Sequence, residues 1–273
     1  MKLATIRTDS GTRAAAVDGG KLIPLGFTDV GAWLQAGSPE WTEHVHGAPV
    51  SLEEADFAPV IPAPGKIICV GLNYRDHILE MGRDLPEHPT LFAKFADSLI
   101  GANDEVVLPP GSASVDWEAE LAVIIGSSSS RADDLQARNA IAGFAVANDV
   151  SARDFQRRTP EWLQGKTFDR TTPLGPYLVT ADETGPEPDL EISCAVDGAT
   201  KQHSRTSELV FGPVALVKYI SAITTLRPGD VILTGTPGGV GDGRTPKEFL
   251  EAGSVLETSI NTLGTTANRC VLR

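Results

Sequence analysis

Cysteine is scarce: Cys69, Cys194 and Cys270 are three in 273 residues, far apart and never spaced as CxxC. Neither a disulfide framework nor a cysteine-based zinc site is suggested, and buried, reduced thiols are expected. Positive charge is also in short supply, with 23 Lys and Arg against 36 Asp and Glu and a formal net charge of −13. Nucleic acid is therefore not an expected partner, and a pocket for an anionic acid must bring its own cation. No uninterrupted apolar run approaches membrane-spanning length, and the opening MKLATIRTD turns polar before a signal segment could form. The expectation is a cytoplasmic protein with no membrane partner.

What is present is an ordinary globular mixture, 41% apolar and 22% charged, enough for one large domain or one domain with a small appendage. Residues 1–60 read as a small β-rich piece, with strands at Leu3 to Ile6, Ala14 to Val17 and Lys21 to Pro24 separated by Asp-Gly and Gly-Gly. Pro59, Pro62, Pro64 and Gly65 form a stiff connector into the main domain, residues 61–273. There the pattern predicts strands at Ile67 to Val70, Thr90 to Phe95, Trp117 to Ile125, Ile141 to Asp149, Glu191 to Val196, Val231 to Thr234, Val255 to Ile260 and Asn268 to Leu272. Asp197-Gly198 predicts a tight hairpin. Helical turns are expected over Asn73 to Met81, over Asp154 to Trp162 after an N-cap at Ser151, and over Thr206 to Thr225, which Gly212-Pro213 must interrupt or reset. Ser127 to Ser130 reads as a loop and helix cap.

Several residues could carry chemistry. In the strand DWEAELAVII, residues two apart share a face, so Glu118 and Glu120 sit side by side, where carboxylates require water, a shared proton or a cation. A solvent-facing strand end has the same spacing, but Asp149 at the end of another apolar strand adds a third hard oxygen donor. Three such donors suit Mg²⁺ or Mn²⁺, with Ca²⁺ able to substitute, and leave positions open for a chelating substrate. His77 and Glu80, three apart in a helical segment, could form a dyad that activates water; a surface pair has the same spacing. Gly165-Lys166-Thr167 resembles the end of a phosphate loop, but Pro160 stands where the first glycine is required, so Lys166 remains as a cation for a substrate carboxylate or as an exposed lysine. The strand VILT runs into GTPGGVG, where Thr236 and backbone amides could hold an anionic oxygen or simply form a turn.

Taken in order, GLNYRDHILEMG, DWEAELAVIIG, NDVSARDFQ, GKTFD, TTPLGPYLVT and ILTGTPGGVG resemble the fumarylacetoacetate hydrolase family over roughly residues 60 to 273. The resemblance implies an α+β fold, a mixed β-sandwich roll preceded by a small N-terminal β-rich domain, commonly as a homodimer. It implies a Mg²⁺ or Mn²⁺ ion held by Glu118, Glu120 and Asp149, a catalytic His77–Glu80 dyad on a lid, and Lys166 in a catalytic and anion-binding position. Arg153, Gln156 and Thr236 match substrate-binding positions. The implied substrate is a small 2-keto or 2,4-diketo acid.

Larger animal-type members carry a further metal carboxylate before the lid histidine, where this chain has Val70-Gly71-Leu72-Asn73. The resemblance is therefore to the smaller bacterial-type subgroup, which includes acylpyruvate hydrolases and hydroxyheptadienedioate or hydroxymuconate isomerases. The leading expectation is hydrolysis of a C–C bond in an acylpyruvate-like acid, giving pyruvate and a carboxylic acid. Isomerisation or decarboxylation on the same scaffold is the alternative, and a keto-acid-binding protein without turnover is a third reading.

Overall fold

Every residue of Ala119–Ile125 is buried, and the molecule is built outward from this strand. The computed structural model describes residues 1–75, 78 and 84–273. Ala119–Ile125 pairs antiparallel with Ile141–Asn148 on one side and Val231–Leu233 on the other. Their near-continuous apolar sequences suit a sheet covered on both faces. Ile67–Gly71 runs parallel to Val231–Leu233 and pairs antiparallel with Thr90–Lys94, while Thr172–Thr180 joins the far side of Ile141–Asn148. Lys2–Thr8 then pairs with Thr172–Thr180 and leads through Gly11–Asp18 and Lys21–Pro24 to Val50–Ser51. Strands from residues 1–60 and 61–273 are thus members of one eleven-stranded sheet.

A second sheet of five strands has the order Ala199–Arg205, Glu191–Val196, Val255–Ile260, Gly264–Val271, Val106–Val107. Alternation along the central strand gives each face its own core. Leu121, Val123 and Ile125 pack with Ile192, Cys194, Leu256 and Ile260 of the five-stranded sheet and with Leu216 and Ile220 of the helix Pro213–Ile223. Ala122 and Ile124 join Ala145, Ala147, Val231, Leu233 and Cys69 on the opposite face, against Trp33 and Leu34 of the helix Val30–Gln35. This is the expected α+β architecture, a β-sandwich roll with few and short helices. All three cysteines are free and buried. Among the described residues no helix is long and apolar enough to cross a membrane.

Local differences from the sequence pattern have local causes. In place of one helix over Asp154 to Trp162 there are two short ones, Arg153–Gln156 and Leu163–Lys166. Pro160 disfavours helix at Thr159 and splits them. Ser151 is not an N-cap: it lies in the two-residue strand Ser151–Ala152, its hydroxyl donating to Asp149 O at 2.8 Å. The Ser127 to Ser130 run does not cap the following helix either. Asp133 caps Asp134–Ala140 in a capping box with Gln136, and Ser129 bridges to Leu226. Gly212-Pro213 starts a helix rather than interrupting one, with proline at its first position. At Asp197-Gly198 the hairpin forms, with φ of 53° and 76°. The helical turn expected over Asn73 to Met81 falls largely outside the described residues.

Candidate metal centre and substrate cleft

The alternation that sorts the core also gathers the acids. Glu118 and Glu120 continue the face of Ala122 and Ile124, and Asp149 continues the face of Ala145 and Ala147 on the neighbouring strand. Glu120 stands opposite Ala147 in register, and Asp149 N donates to Glu118 O at 2.8 Å. All three side chains are buried, and one oxygen from each lies within 4.8 Å of the others.

Buried charge of one sign cannot stand alone, and three cations meet it. Lys166 Nζ donates to Glu118 Oε2 and to Asp149 Oδ2, both at 2.7 Å. Lys94 Nζ approaches the other Asp149 oxygen at 2.5 Å. Arg153 is a hub: Nη2 pairs with Glu118 Oε1 at 2.7 Å, Nε donates to Asp116 Oδ2 at 2.8 Å, and Nη1 donates to Gln156 Oε1 at 3.0 Å. Asp116 in turn accepts from the amides of Gly241 at 2.7 Å and Asp242 at 3.0 Å, tying the Arg153 helix to the glycine-rich turn. Burial by itself would weaken proton binding by Lys166, but Asp149 and Glu118 outweigh it and push the ammonium up to about 12. The Arg153 guanidinium is raised for the same reason, Glu118 and Asp116 overcoming its desolvation.

Glu120 has the weakest compensation. Its Oε2 accepts from Gly235 N at 2.7 Å, and among the described residues no donor reaches Oε1. Desolvation, followed by repulsion from Asp149 and Glu118, lifts its carboxyl well above the ordinary range. Among the described residues, the buried acids Asp116, Glu118, Glu120 and Asp149 face the buried cations Lys94, Arg153 and Lys166, leaving one net negative charge. A proton on Glu120 or a metal cation would each relieve it.

The donor set fits a hard divalent cation. Two oxygens on one ion lie at most two bond lengths apart, roughly 4.2 Å for Mg²⁺ and about 5 Å for Ca²⁺; the triad, within 4.8 Å, is inside the Ca²⁺ limit and would close by a small side-chain shift on Mg²⁺. Carboxylate oxygens accept from more than one direction, so the lysine contacts and a metal are compatible. Glu118, Glu120 and Asp149 would hold the ion, and the resulting local charge of plus one would favour an anionic substrate.

A cleft of about 300 Å³ opens beside these acids, at the small end of ligand sites. Glu118, Glu120, Arg153, Gln156, Lys166 and Thr236 all line it, so these sequence-predicted residues converge. Thr236 Oγ1 accepts from Gln202 Nε2 at 2.7 Å. Lys166 is 2% exposed and is not a surface lysine. Its ammonium lies 5.2 Å from the Phe92 ring centre, and Phe92 meets Trp162 edge-on at 5.5 Å; together these rings form an apolar wall. His77 and Glu80 lie outside the described residues.

Sequence reasoning passed over Lys94, Asp116, Asn148 and Gln202. Asn148 Oδ1 accepts from Glu118 N and Gln202 Oε1 from Ala119 N, both at 2.9 Å, which fixes the strand end carrying the acids. Lys94 left one readable signal, a lone charge within the strand candidate Thr90 to Phe95. Gln202 left none, because a sheet distant in sequence brings it there.

Comparison with known proteins identifies the family. The family model described as fumarylacetoacetate (FAA) hydrolase C-terminal matches residues 66–271. The human oxaloacetate tautomerase FAHD2A is 46% identical over 220 residues, covering 80% of this chain and 70% of that protein. A 2,4-didehydro-3-deoxy-L-rhamnonate hydrolase of Sphingomonas sp. (strain SKA58) is 41% identical over 223 residues, 81% of this chain and 78% of the relative. The crystal structure of a protein described as a putative HpcE from Mycobacterium smegmatis superposes with a TM-score of 0.89 at 38% identity, covering 100% and 99% of the two chains. The chain belongs to the fumarylacetoacetate hydrolase family.

Proposed function

We propose that the protein is a divalent-metal-dependent enzyme that interconverts the keto and enol forms of a small, oxaloacetate-like 2-keto acid. The observation that carries this reading is the convergence of the buried Glu118–Glu120–Asp149 triad with Lys166, Arg153, Gln156 and Thr236 on one small cleft. A bound cation would polarise the keto oxygen and so acidify the adjacent C–H bond. Lys166, held protonated between two carboxylates, acts as a fixed cation near the substrate carboxylate rather than as a base. Gln156 and Thr236 offer neutral hydrogen bonds that orient the acid. Phe92 and Trp162 exclude water from one wall, which strengthens each of these interactions. Moving the proton at carbon requires a base, and His77 with Glu80 is the assignment that the sequence supports.

Keto–enol interconversion requires the fewest parts beyond those in the cleft, and the tautomerase named above is similar across 80% of the chain. A second reading, hydrolysis of a 2,4-diketo acid to pyruvate and a second acid, is favoured by the His77–Glu80 spacing and by the similarity to the rhamnonate hydrolase. The deciding experiment uses chelator-stripped protein with Mg²⁺ or Mn²⁺ and either oxaloacetate or acetylpyruvate, following enol absorbance and products together. Metal-dependent enol–keto conversion without bond cleavage, lost in Glu118→Ala together with metal binding, is the expected result. Stoichiometric pyruvate and acetate from acetylpyruvate would select the hydrolase, and inertness toward both acids would overturn both readings.

A further inference from the structure

Arg157 lines the same cleft as the acidic triad, one residue beyond the short helix that carries Arg153 and Gln156. Unlike Arg153, whose three guanidinium nitrogens all have acceptors, Arg157 commits only Nη2, to Asp242 Oδ2. Its Nε and Nη1 have no acceptor among the described residues, and the side chain is 55% exposed. Asp242 is also held by Lys247 Nζ at 2.7 Å, so one carboxylate is shared by two cations and does not neutralise Arg157 alone. On a chain of net charge −13, a local cation with spare donors at a ligand opening is what a second anionic group would require. Trp162, Pro160 and Val240 give the same cleft apolar surface. Two neighbouring arginines are engaged elsewhere: Arg158 lies on the Phe155 ring at 3.4 Å, and Arg244 Nη2 donates to Lys201 O at 2.7 Å.

We infer that Arg157 receives the distal carboxylate of the substrate and makes the cleft selective for short 2-keto dicarboxylates over 2-keto acids with a neutral far end. The keto-acid end lies at the triad, a short carbon spacer passes the apolar wall, and the second carboxylate meets the free edge of the guanidinium while Asp242 holds the other. This inference rests on the keto-acid reading above and deepens it.

The test compares wild type, Arg157→Gln and Arg157→Lys, all loaded with Mg²⁺, for oxaloacetate and for acetylpyruvate, a monoanion of similar length. Affinity by calorimetry and KM are both read, so the result does not depend on turnover. In wild type the diacid binds more tightly. Arg157→Gln raises the ratio of oxaloacetate to acetylpyruvate Kd, and the matching KM ratio, tenfold or more (about 1.4 kcal/mol), and Arg157→Lys recovers part of the loss. A ratio unchanged by Arg157→Gln, a wild type that prefers acetylpyruvate, or binding of neither acid overturns the inference. Arg157-dependent binding of oxaloacetate without any reaction keeps the inference and removes the tautomerase reading.

Discussion

Asp149 is held by two lysines, with Lys166 and Lys94 on its two oxygens at 2.7 and 2.5 Å. Both Lys94 and Asp149 have side chains with no solvent exposure, so their attraction is little screened, and neither can be removed without leaving uncompensated charge. Substituting Lys94→Met keeps the volume and deletes the cation. Removing one partner of a buried ion pair costs about 3–5 kcal/mol, so urea unfolding of the metal-free variant should show a loss of that size. Saturating Mg²⁺ should restore part of it, because the metal supplies the missing positive charge. A loss below about 1 kcal/mol in urea would mean that Lys166 alone neutralises Asp149. Arg153 works differently: through Asp116 and Gln156 it sets the position of Glu118 and links the acids to the 239–242 turn.

At the scale of elements, the site depends on short pieces meeting closely rather than on any long one. The four-residue helices Arg153–Gln156 and Leu163–Lys166 touch at Gly165, where an added Cβ would lie 2.5 Å from Gln156 N and 2.6 Å from Ala152 O. Backbone cannot yield as a flexible side chain can, so Gly165→Ala must push the second helix outward and draw Lys166 from its acids. The expected result is a stability loss of about 1–3 kcal/mol in urea, with a proportionally larger fall in kcat. Full activity with normal stability would show that the helices separate without moving Lys166. Gly235 is constrained otherwise. It has φ of +102°, which favours glycine, and this conformation turns its amide toward Glu120.

For the molecule as a whole, the unpaired acidity of the centre couples folding to pH and to metal. In the metal-free protein the carboxyl of Glu120 is raised by burial and by its two acidic neighbours. From the unfolded glutamate value of about 4.3 up to that raised folded value, the native state binds more protons than the unfolded one, so stability falls as pH rises. Thermal midpoints in chelator should therefore decline as pH rises above the unfolded glutamate value, more steeply for wild type than for Glu120→Gln, which has nothing to ionise. Mg²⁺ at a hundredfold excess over its Kd should add about 2.7 kcal/mol to wild type and flatten the decline. Parallel curves for the two proteins in chelator would refute the assignment. What the sequence determined alone was whatever depends on near neighbours in the chain. The period-two alternation placed Glu118 and Glu120 on one face, apolar runs marked the central strands, Asp197-Gly198 set a hairpin, and the ordered motifs carried the family. Tertiary structure alone decided which distant groups complete that face. Lys94 reaches Asp149, Gln202 reaches the Ala119 amide and Arg157 reaches Asp242 across long stretches of chain, and their spacing has no periodicity to betray them. A sheet that takes strands from both residues 1–60 and residues 61–273 was likewise settled by packing, whereas the helix split at Pro160 is a local effect of proline. Local patterns fix which way a side chain points along its own strand, but the neighbour it meets depends on how separate strands and helices stack, and that is set by burial over the whole core.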